Sequence, residues 1–97
     1  MSDSRPSTYA PIEGVMERSL ARVCGRITAI QVEPAGVAPT LTIRVQDDSG
    51  RIDAVFMGRR SIPGIEPGQR IGLEGRVSAS DAAPLMYNPR YELLCRE

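Results

Sequence analysis

The side chains of this sequence that could do chemistry are mostly guanidinium groups. All twelve basic residues are arginine, twelve acidic residues balance them, and histidine is absent. Arginine favours bidentate contacts with phosphate and stacking on flat rings, whereas the missing imidazole removes the commonest general base near neutral pH. A GC-rich genome produces the same bias toward arginine, and we favour that explanation for the composition as a whole. These residue types predict binding rather than catalysis.

Motifs for metal, nucleotide or hydrolase chemistry are absent from the sequence. No GxxxxGK[ST], GxSxG, HExxH or CxxC pattern occurs, so we expect no catalytic residue, metal, cofactor or small-molecule substrate. Cys24 and Cys95 lie far apart, which predicts two reduced thiols instead of a disulfide framework. Apolar runs are too short for a membrane span, and the N-terminus lacks a signal-peptide pattern. We therefore expect a soluble, cytoplasmic protein with no membrane partner.

The clearest strand pattern runs through residues 41–57. Apolar and polar residues alternate before and after a short turn, which is the period of two of a half-buried strand. The turn reads Asp47-Asp48-Ser49-Gly50, and Gly50 is expected to supply a positive φ. This stretch predicts a β-hairpin with one buried face. The inward residues of that face are Leu41, Ile43, Val45, Ile52, Ala54 and Phe56.

A long first strand is predicted over residues 21–33, with Gly25 marking a bend or a close backbone approach. Residues 1–17 lack a strong apolar period and predict a flexible tail and lead-in, so the folded domain is expected to span residues 18–97. A proline-bracketed connector over residues 34–39 leads to the hairpin. The predicted inward residues of the first strand are Val23, Gly25, Ile27 and Ala29.

The second half of the chain predicts two more strands, over residues 70–78 and 85–94, joined by a turn at residues 80–84. Glycines and prolines in residues 58–70 exclude a helix of ordinary length there. The Asn88-Pro89 step predicts a bulge or kink in the last strand. This order is typical of an all-β, five-stranded OB-fold, a partly open Greek-key barrel with an irregular insertion between strands three and four. A small SH3-like barrel is the alternative.

The amino-acid sequences of these predicted strands are similar to those of known bacterial domains. CGRITAI, LTIRVQDDSGRIDAVF, PGQRIGLEGRV and LMYNPRYELL resemble the OB-fold wedge domain of the RecG helicase, which shares a D-x-[ST]-G-x-[IL] hairpin and a closing NP-x-Y-x-[IL]. RRSIPGIEPGQR and MYNPRYELL give a closer likeness to stand-alone, nucleic-acid-binding OB-fold proteins of actinobacteria. The likeness covers roughly residues 18–95 and rests mainly on residues that define the fold. Because the 97 residues hold no helicase motor, no branch-opening role is expected.

The resemblance implies a ligand face on the second and third strands, flanked by the loops between strands one and two and strands four and five. Outward arginines there could follow a phosphate backbone, although Arg44 is also expected to pair with Asp53 on the facing strand. Tyr87 is the leading candidate for stacking on a base, with Tyr91 and Tyr9 as alternatives. The candidate binding residues are Arg22, Arg26, Thr42, Arg44, Gln46, Arg51, Arg59, Arg60, Arg76 and Tyr87.

Two functions are compatible with these residues. The first is a non-enzymatic, largely sequence-neutral nucleic-acid-binding module that prefers single-stranded DNA or RNA and binds weakly, because aromatic residues are few. The alternative is a protein-interaction or self-assembly module that uses the same face or an edge strand. Zero net charge and the predicted exposure of Val55 and Met57 favour this alternative.

Overall fold

A computed structural model describes residues 9–33, 38–80 and 83–94. Its regular elements are one short 3-10 helix, Ile12–Gly14, and six strands of a single sheet. Within these ranges, no helix is long and apolar enough to cross a membrane. The strands are β1 (Leu20–Glu33), β2 (Thr40–Gln46), β3 (Arg51–Met57), β4 (Arg70–Arg76), β5 (Leu85–Tyr87) and β6 (Arg90–Leu93).

The strands follow the order β5-β3-β2-β1-β4-β6 in the sheet. β1 pairs antiparallel with β2 and β4, and β5 runs parallel to β3. Because β5 and β6 are consecutive in the chain yet stand at opposite ends of this order, the sheet must curl toward itself as a partly open barrel. The irregular segment 58–69 connects β3 to β4, as predicted. This topology confirms the predicted all-β OB-fold.

The predicted fifth strand is divided into β5 and β6 at the Asn88-Pro89 step. Asn88 has a φ of 49°, which asparagine tolerates better than most side chains. Its N–H donates to the carbonyl of Val55 at 2.7 Å, and its Oδ1 accepts from the N–H of Met57 at 3.0 Å. The predicted kink is confirmed. It allows one stretch of chain to pair with β3 before Asn88 and with β4 after Pro89.

The buried face of the β2–β3 hairpin forms the centre of the core. All six predicted inward residues of the hairpin are between 0% and 4% exposed, which confirms that prediction. At the end of the barrel, Phe56 meets the ring of Tyr91 edge-on, with 5.8 Å between centroids and 82° between the planes. The other buried apolar residues are Ile12, Ala21, Val23, Ile27, Ile62, Ile65, Ile71, Leu73, Val77 and Met86.

β1 changes the facing of its side chains at a bulge. The register with β2 shifts between Ile27 and Ala29, so the additional residue, Thr28, reverses the alternation that follows. Ala29 lies opposite Arg44 and is exposed, so the prediction that it points inward was wrong. Ile30 packs against the core in its place.

Residues 9–14, here called the N-terminal strap, lie against β1 and the hairpin turn. The N–H of Ala10 donates to the carbonyl of Arg22 at 2.7 Å, on a part of β1 that β2 does not reach. The side chain of Ile12 is 1% exposed and belongs to the core. Part of the predicted tail and lead-in over residues 1–17 is therefore packed on the barrel, whereas its residues 1–8 lie outside the described residues.

Several other predictions fall partly outside the described residues. The predicted connector at 34–39 includes residues 34–37, and the predicted turn at 80–84 includes residues 81 and 82, none of which is described. Cys24 carries a free thiol, and Cys95 also lies outside the described ranges.

Candidate nucleic-acid interface

The outward side chains of four neighbouring strands form a row across the sheet. Arg26 on β1 lies opposite both Arg70 on β4 and Gln46 on β2, and Gln46 lies opposite Arg51 on β3. Residues directly opposite on antiparallel strands have Cβ atoms about 5 Å apart. Within the described ranges, no carboxylate forms an ion pair with these three arginines. We call Arg70, Arg26, Gln46 and Arg51 the basic row.

Arg70 was missed by the sequence analysis. Alternation along β4 places Arg70 on the same side as Gly72 and Glu74, because Ile71 and Leu73 are buried. That signal was available in the sequence. The register that sets Arg70 directly beside Arg26 was not, because β1 and β4 are distant in the chain.

The next row along the sheet contains the predicted ion pair. Nε of Arg44 lies 3.3 Å from Oδ1 of Asp53, and the two residues face each other across β2 and β3. This pairing across the hairpin was predicted and is confirmed. Because Asp53 balances its charge, Arg44 attracts an anion less strongly than the arginines of the basic row do.

A third row is uncharged and offers flat or apolar surface. It comprises Gln31 on β1, Thr42 on β2, Val55 on β3 and Tyr87 on β5. The side chain of Tyr87 is 53% exposed. We call these four residues the uncharged row; an exposed aromatic ring is the usual platform for a nucleobase.

Two predicted site residues lie farther along the β1–β4 pair, away from β2 and β3. Arg22 is opposite Glu74 on β4, and its guanidinium carbon stands 4.3 Å from the ring centroid of Tyr9. Arg76 donates from Nη1 to the carbonyl of Arg18 at 2.7 Å, at the far end of β4. Neither side chain belongs to the rows on β2 and β3.

The remaining predicted arginines, Arg59 and Arg60, are exposed in the loop after β3. They follow the end of that strand and have no partner strand to fix their position. Strand register therefore brings six of the ten predicted residues together on one face, and leaves four elsewhere. The six are Arg26, Thr42, Arg44, Gln46, Arg51 and Tyr87.

The hairpin turn is organised by the carboxylate of Asp47. Its Oδ1 accepts from the N–H groups of Ser49 and Gly50 at 2.7 and 2.9 Å and from the Ser49 hydroxyl at 2.7 Å. Its Oδ2 accepts from the N–H of Ile12 in the strap at 3.1 Å. Gly50 does not have the predicted positive φ, since these side-chain hydrogen bonds close the turn without it.

The same contacts govern the pKa of Asp47. Burial on its own would raise the pKa, but the hydrogen bonds from the Ser49 hydroxyl and from the N–H groups of Ile12, Ser49 and Gly50 outweigh it. The pKa of Asp47 is held below its ordinary value. The turn that borders the basic row is therefore tied to the strap by a carboxylate whose ionised form is favoured.

Comparison of the chain with protein families places it in a known class of domains. Residues 21–97 match the family model tRNA_anti-codon, described as an OB-fold nucleic acid binding domain. The chain belongs to this OB-fold family. Curated proteins gave no match to the chain. The matched range contains both rows on the outer face and leaves the strap outside it.

Membership of the OB-fold nucleic acid binding domain family makes this chain a nucleic-acid-binding module. In the described part of the domain, no group of three or more histidine, cysteine or carboxylate side chains is arranged to hold a metal ion. The chemistry that the outer face does offer is cationic contact with phosphate and stacking or apolar contact with bases.

Proposed function

We propose that this OB-fold domain is a non-catalytic module that binds single-stranded DNA or RNA weakly and with little sequence preference. The observation that carries the proposal is that the basic row and the uncharged row lie on one outer face of the sheet, with the Arg44–Asp53 pair between them. A single strand exposes its phosphates along one side and its base faces along the other. Both kinds of contact are available on this face.

The strength of the electrostatic contribution follows from the number of unpaired arginines. The basic row contains three, namely Arg26, Arg51 and Arg70. If each neutralises one phosphate, the logarithm of the affinity for a single strand falls with a slope of about −2 against the logarithm of salt concentration. A fourfold rise in salt then weakens binding by about twentyfold. Such binding is modest, and so is its dependence on salt.

The stacking contribution is limited by the supply of rings on this face. Tyr87 is the exposed ring of the uncharged row, and Tyr91 is engaged at the barrel end with Phe56. Each stacked base contributes about 1–3 kcal/mol to the free energy of binding. A single ring therefore adds little affinity. Contacts with phosphates and ring faces carry no base identity, which supports a sequence-neutral mode.

The family match over residues 21–97 supports a nucleic-acid partner. The sequence likeness to the wedge domain of RecG helicase and to stand-alone actinobacterial OB-fold proteins agrees with it, and no branch-opening role is carried over.

Fluorescence anisotropy with labelled oligonucleotides of about 20 nucleotides tests the proposal, since one OB-fold covers about 4–16. The test variant combines Arg51→Gln with Tyr87→Leu, and Arg76→Gln is the matched control off the face. We expect wild type to bind single-stranded DNA or RNA more tightly than a duplex of the same sequence. The double variant should bind at least about tenfold more weakly, with Arg76→Gln unchanged. Equal binding by the double variant and wild type would overturn the proposal.

A second candidate function is self-association or protein binding through the same face. The observation in its favour is that Met57 is 57% exposed and Tyr87 53% exposed, with Val55 between them in the sheet register. Light scattering over a range of protein concentrations distinguishes the two functions. A dimer that dissociates in a Met57→Lys variant would support this candidate, and a monomer at all concentrations would count against self-association.

A further inference from the structure

A groove of about 610 Å³ opens between the strap, the β1–β4 pair and the hairpin turn. It lies at the end of the basic row, on the side of β4. Arg26, Arg70 and Gln46 line it from the sheet, and Tyr9 lines it from the strap. The groove therefore combines two guanidinium groups with an aromatic ring that lies outside the family-matched residues 21–97.

The two arginines of the groove, Arg26 and Arg70, carry like charges on facing strands, which is unfavourable for the folded domain. Arg26 and Arg70 are direct register partners on antiparallel strands, and like charges in that position repel each other. In the part of the chain that the structure describes, no carboxylate is paired with either of them. Anions bound at the two guanidinium groups would offset the repulsion and accept charge-assisted hydrogen bonds from each. Phosphate is the anion that such paired arginines suit best.

Tyr9 is held in place by two neighbours. The guanidinium of Arg22 stacks on its ring at 4.3 Å from the centroid, a favourable cation–π contact. Gly72 lies beneath the ring edge, where an added Cβ would stand 2.5 Å from the tyrosine oxygen. The missing side chain at Gly72 thus creates the space in which Tyr9 rests. A ring fixed in this way is preorganised to contact a nucleoside.

The hairpin turn restricts where a phosphate can lie in the groove. Asp47 and Asp48 line the turn side, and their carboxylates repel an anion. The oxygens of Asp47 already accept hydrogen bonds from the turn and the strap. The favourable positions for phosphates are consequently on the β1–β4 side, at Arg26 and Arg70 and near Tyr9.

We infer that Tyr9, Arg26 and Arg70 form a nucleotide subsite at one end of the binding face. It takes phosphates of a single strand at the two arginines, one at each, and Tyr9 contacts the nucleoside next to them. The inference rests on the proposed function. It extends the path of the strand from the hairpin across β1 to β4 and gives the N-terminal strap a part in binding.

Binding measurements on single variants test the subsite. Arg70→Gln should lower affinity for a single-stranded oligonucleotide by about tenfold and reduce the magnitude of the salt slope by about 0.7, the value of one phosphate contact. Tyr9→Leu should weaken binding about fivefold with an unchanged slope, because the lost contact is uncharged. Tyr9→Phe retains the ring and should bind like wild type. Arg76→Gln, at the far end of β4 and outside this groove, is the matched control and should also bind like wild type.

A titration followed by NMR identifies the ligand class directly. With a short oligothymidylate, we expect shifts of the Tyr9 ring protons together with the Nε–H signals of Arg26 and Arg70. Inorganic phosphate at the same concentration should move these signals far less. If phosphate alone saturates the arginine signals and the Tyr9 ring never responds to the oligonucleotide, the nucleotide assignment is overturned in favour of a general anion site.

The possible failures are distinguishable. If Arg70→Gln and Tyr9→Leu bind like wild type while the Arg51→Gln/Tyr87→Leu variant is weakened, the subsite is wrong and the proposed function stands. If wild type binds no single strand at low salt, both are wrong. Thermal denaturation of each variant establishes that it is folded, and the NMR shifts of the Tyr9 ring in wild type retain a readout for the ring should Tyr9→Leu loosen the strap.

Discussion

At the scale of single residues, the effect of a side chain depends on the group that lies opposite it. Arg44 and Arg51 are both outward arginines of the hairpin, yet Arg44 faces Asp53 whereas Arg51 faces Gln46. Arg44 is therefore part of an ion pair, and Arg51 keeps its charge available to a ligand. A list of exposed arginines overestimates the phosphate contacts unless these cross-strand partners are known.

Gly25 gives a prediction at this scale. A Cβ added at Gly25 would lie 2.5 Å from the carbonyl oxygen of Gln46, whose backbone is held in the β1–β2 ladder and cannot move freely. This close approach was predicted and is confirmed. Gly25→Ala is expected to destabilise the domain by roughly 1–3 kcal/mol in urea denaturation.

Gly14→Ala is the matched control, because nothing lies within 4 Å of the Cβ position at Gly14. Its stability should stay within about 0.5 kcal/mol of wild type. Equal stability of the two alanine variants would contradict the tight packing at Gly25.

At the scale of elements, the strap completes the barrel where the hairpin ends. β2 reaches only to Arg26 on β1, and residues 9–14 occupy the position beside the earlier part of that strand. The N–H groups of Ile12 and Glu13 donate to Asp47 and Ser49 of the turn. The strap is thus bound both to a strand and to a turn that are distant from it in the sequence.

Removing the apolar contact of the strap should destabilise the whole domain. Ile12 is 1% exposed, so Ile12→Ala leaves a cavity in the core and is expected to cost about 2–5 kcal/mol in the free energy of unfolding. Met16→Ala, at a residue that is 70% exposed, should change stability by less than about 0.5 kcal/mol. Chemical denaturation measures both. A small effect at Ile12 would show that the strap is not part of the folded unit.

The polar contact of the strap predicts a dependence on pH. The pKa of Asp47 is lowered in the folded state, so its contribution to stability is fully present above the unfolded value of about 3.9 and is lost as the pH falls through the folded value. Wild type should therefore be more stable than Asp47→Asn near neutral pH, and the difference should shrink as the pH falls below about 4.

Denaturation at a series of pH values from neutral to acidic measures this difference. Asp48→Asn, at the exposed neighbouring position, is the control and should unfold like wild type near neutral pH. A difference between wild type and Asp47→Asn that stays constant down to acidic pH would contradict the role given to the carboxylate.

Much of the element structure could be predicted because alternation is a local signal. The six inward residues of the hairpin and the kink at Asn88 were readable from residues a few positions apart. The bulge at Thr28 was not readable in this way. The residues before and after an inserted residue still alternate regularly, so only the pairing with β2 reveals the bulge. The burial of Ile12 was missed for a related reason, because a single apolar residue after a polar tail gives no periodic signal.

At the scale of the whole molecule, the binding face depends on which strands are neighbours and in what register. The sequence analysis placed Arg26, Gln46 and Arg51 on outward positions, but their alignment with Arg70 results from pairing between strands distant in the chain. The sequence also predicted the same outward position for Arg22 and Arg26, although only Arg26 lies in a row that reaches β2 and β3. The pairing shows this difference, because Arg26 has partners on both β2 and β4 whereas Arg22 is paired with β4. The side of the sheet on which each residue lies was predictable from the sequence. The alignment of residues from different strands into one binding face was not.

The salt dependence of single-strand binding tests the central claim most directly. For wild type, we predict a slope of about −2 in a plot of log affinity against log salt concentration, because three arginines of the basic row contact phosphate. Arg26→Gln combined with Arg51→Gln should reduce the slope to about −0.7, whereas Arg76→Gln should leave it unchanged. A slope that is the same in all three proteins, or no binding by wild type at low salt, would contradict the account.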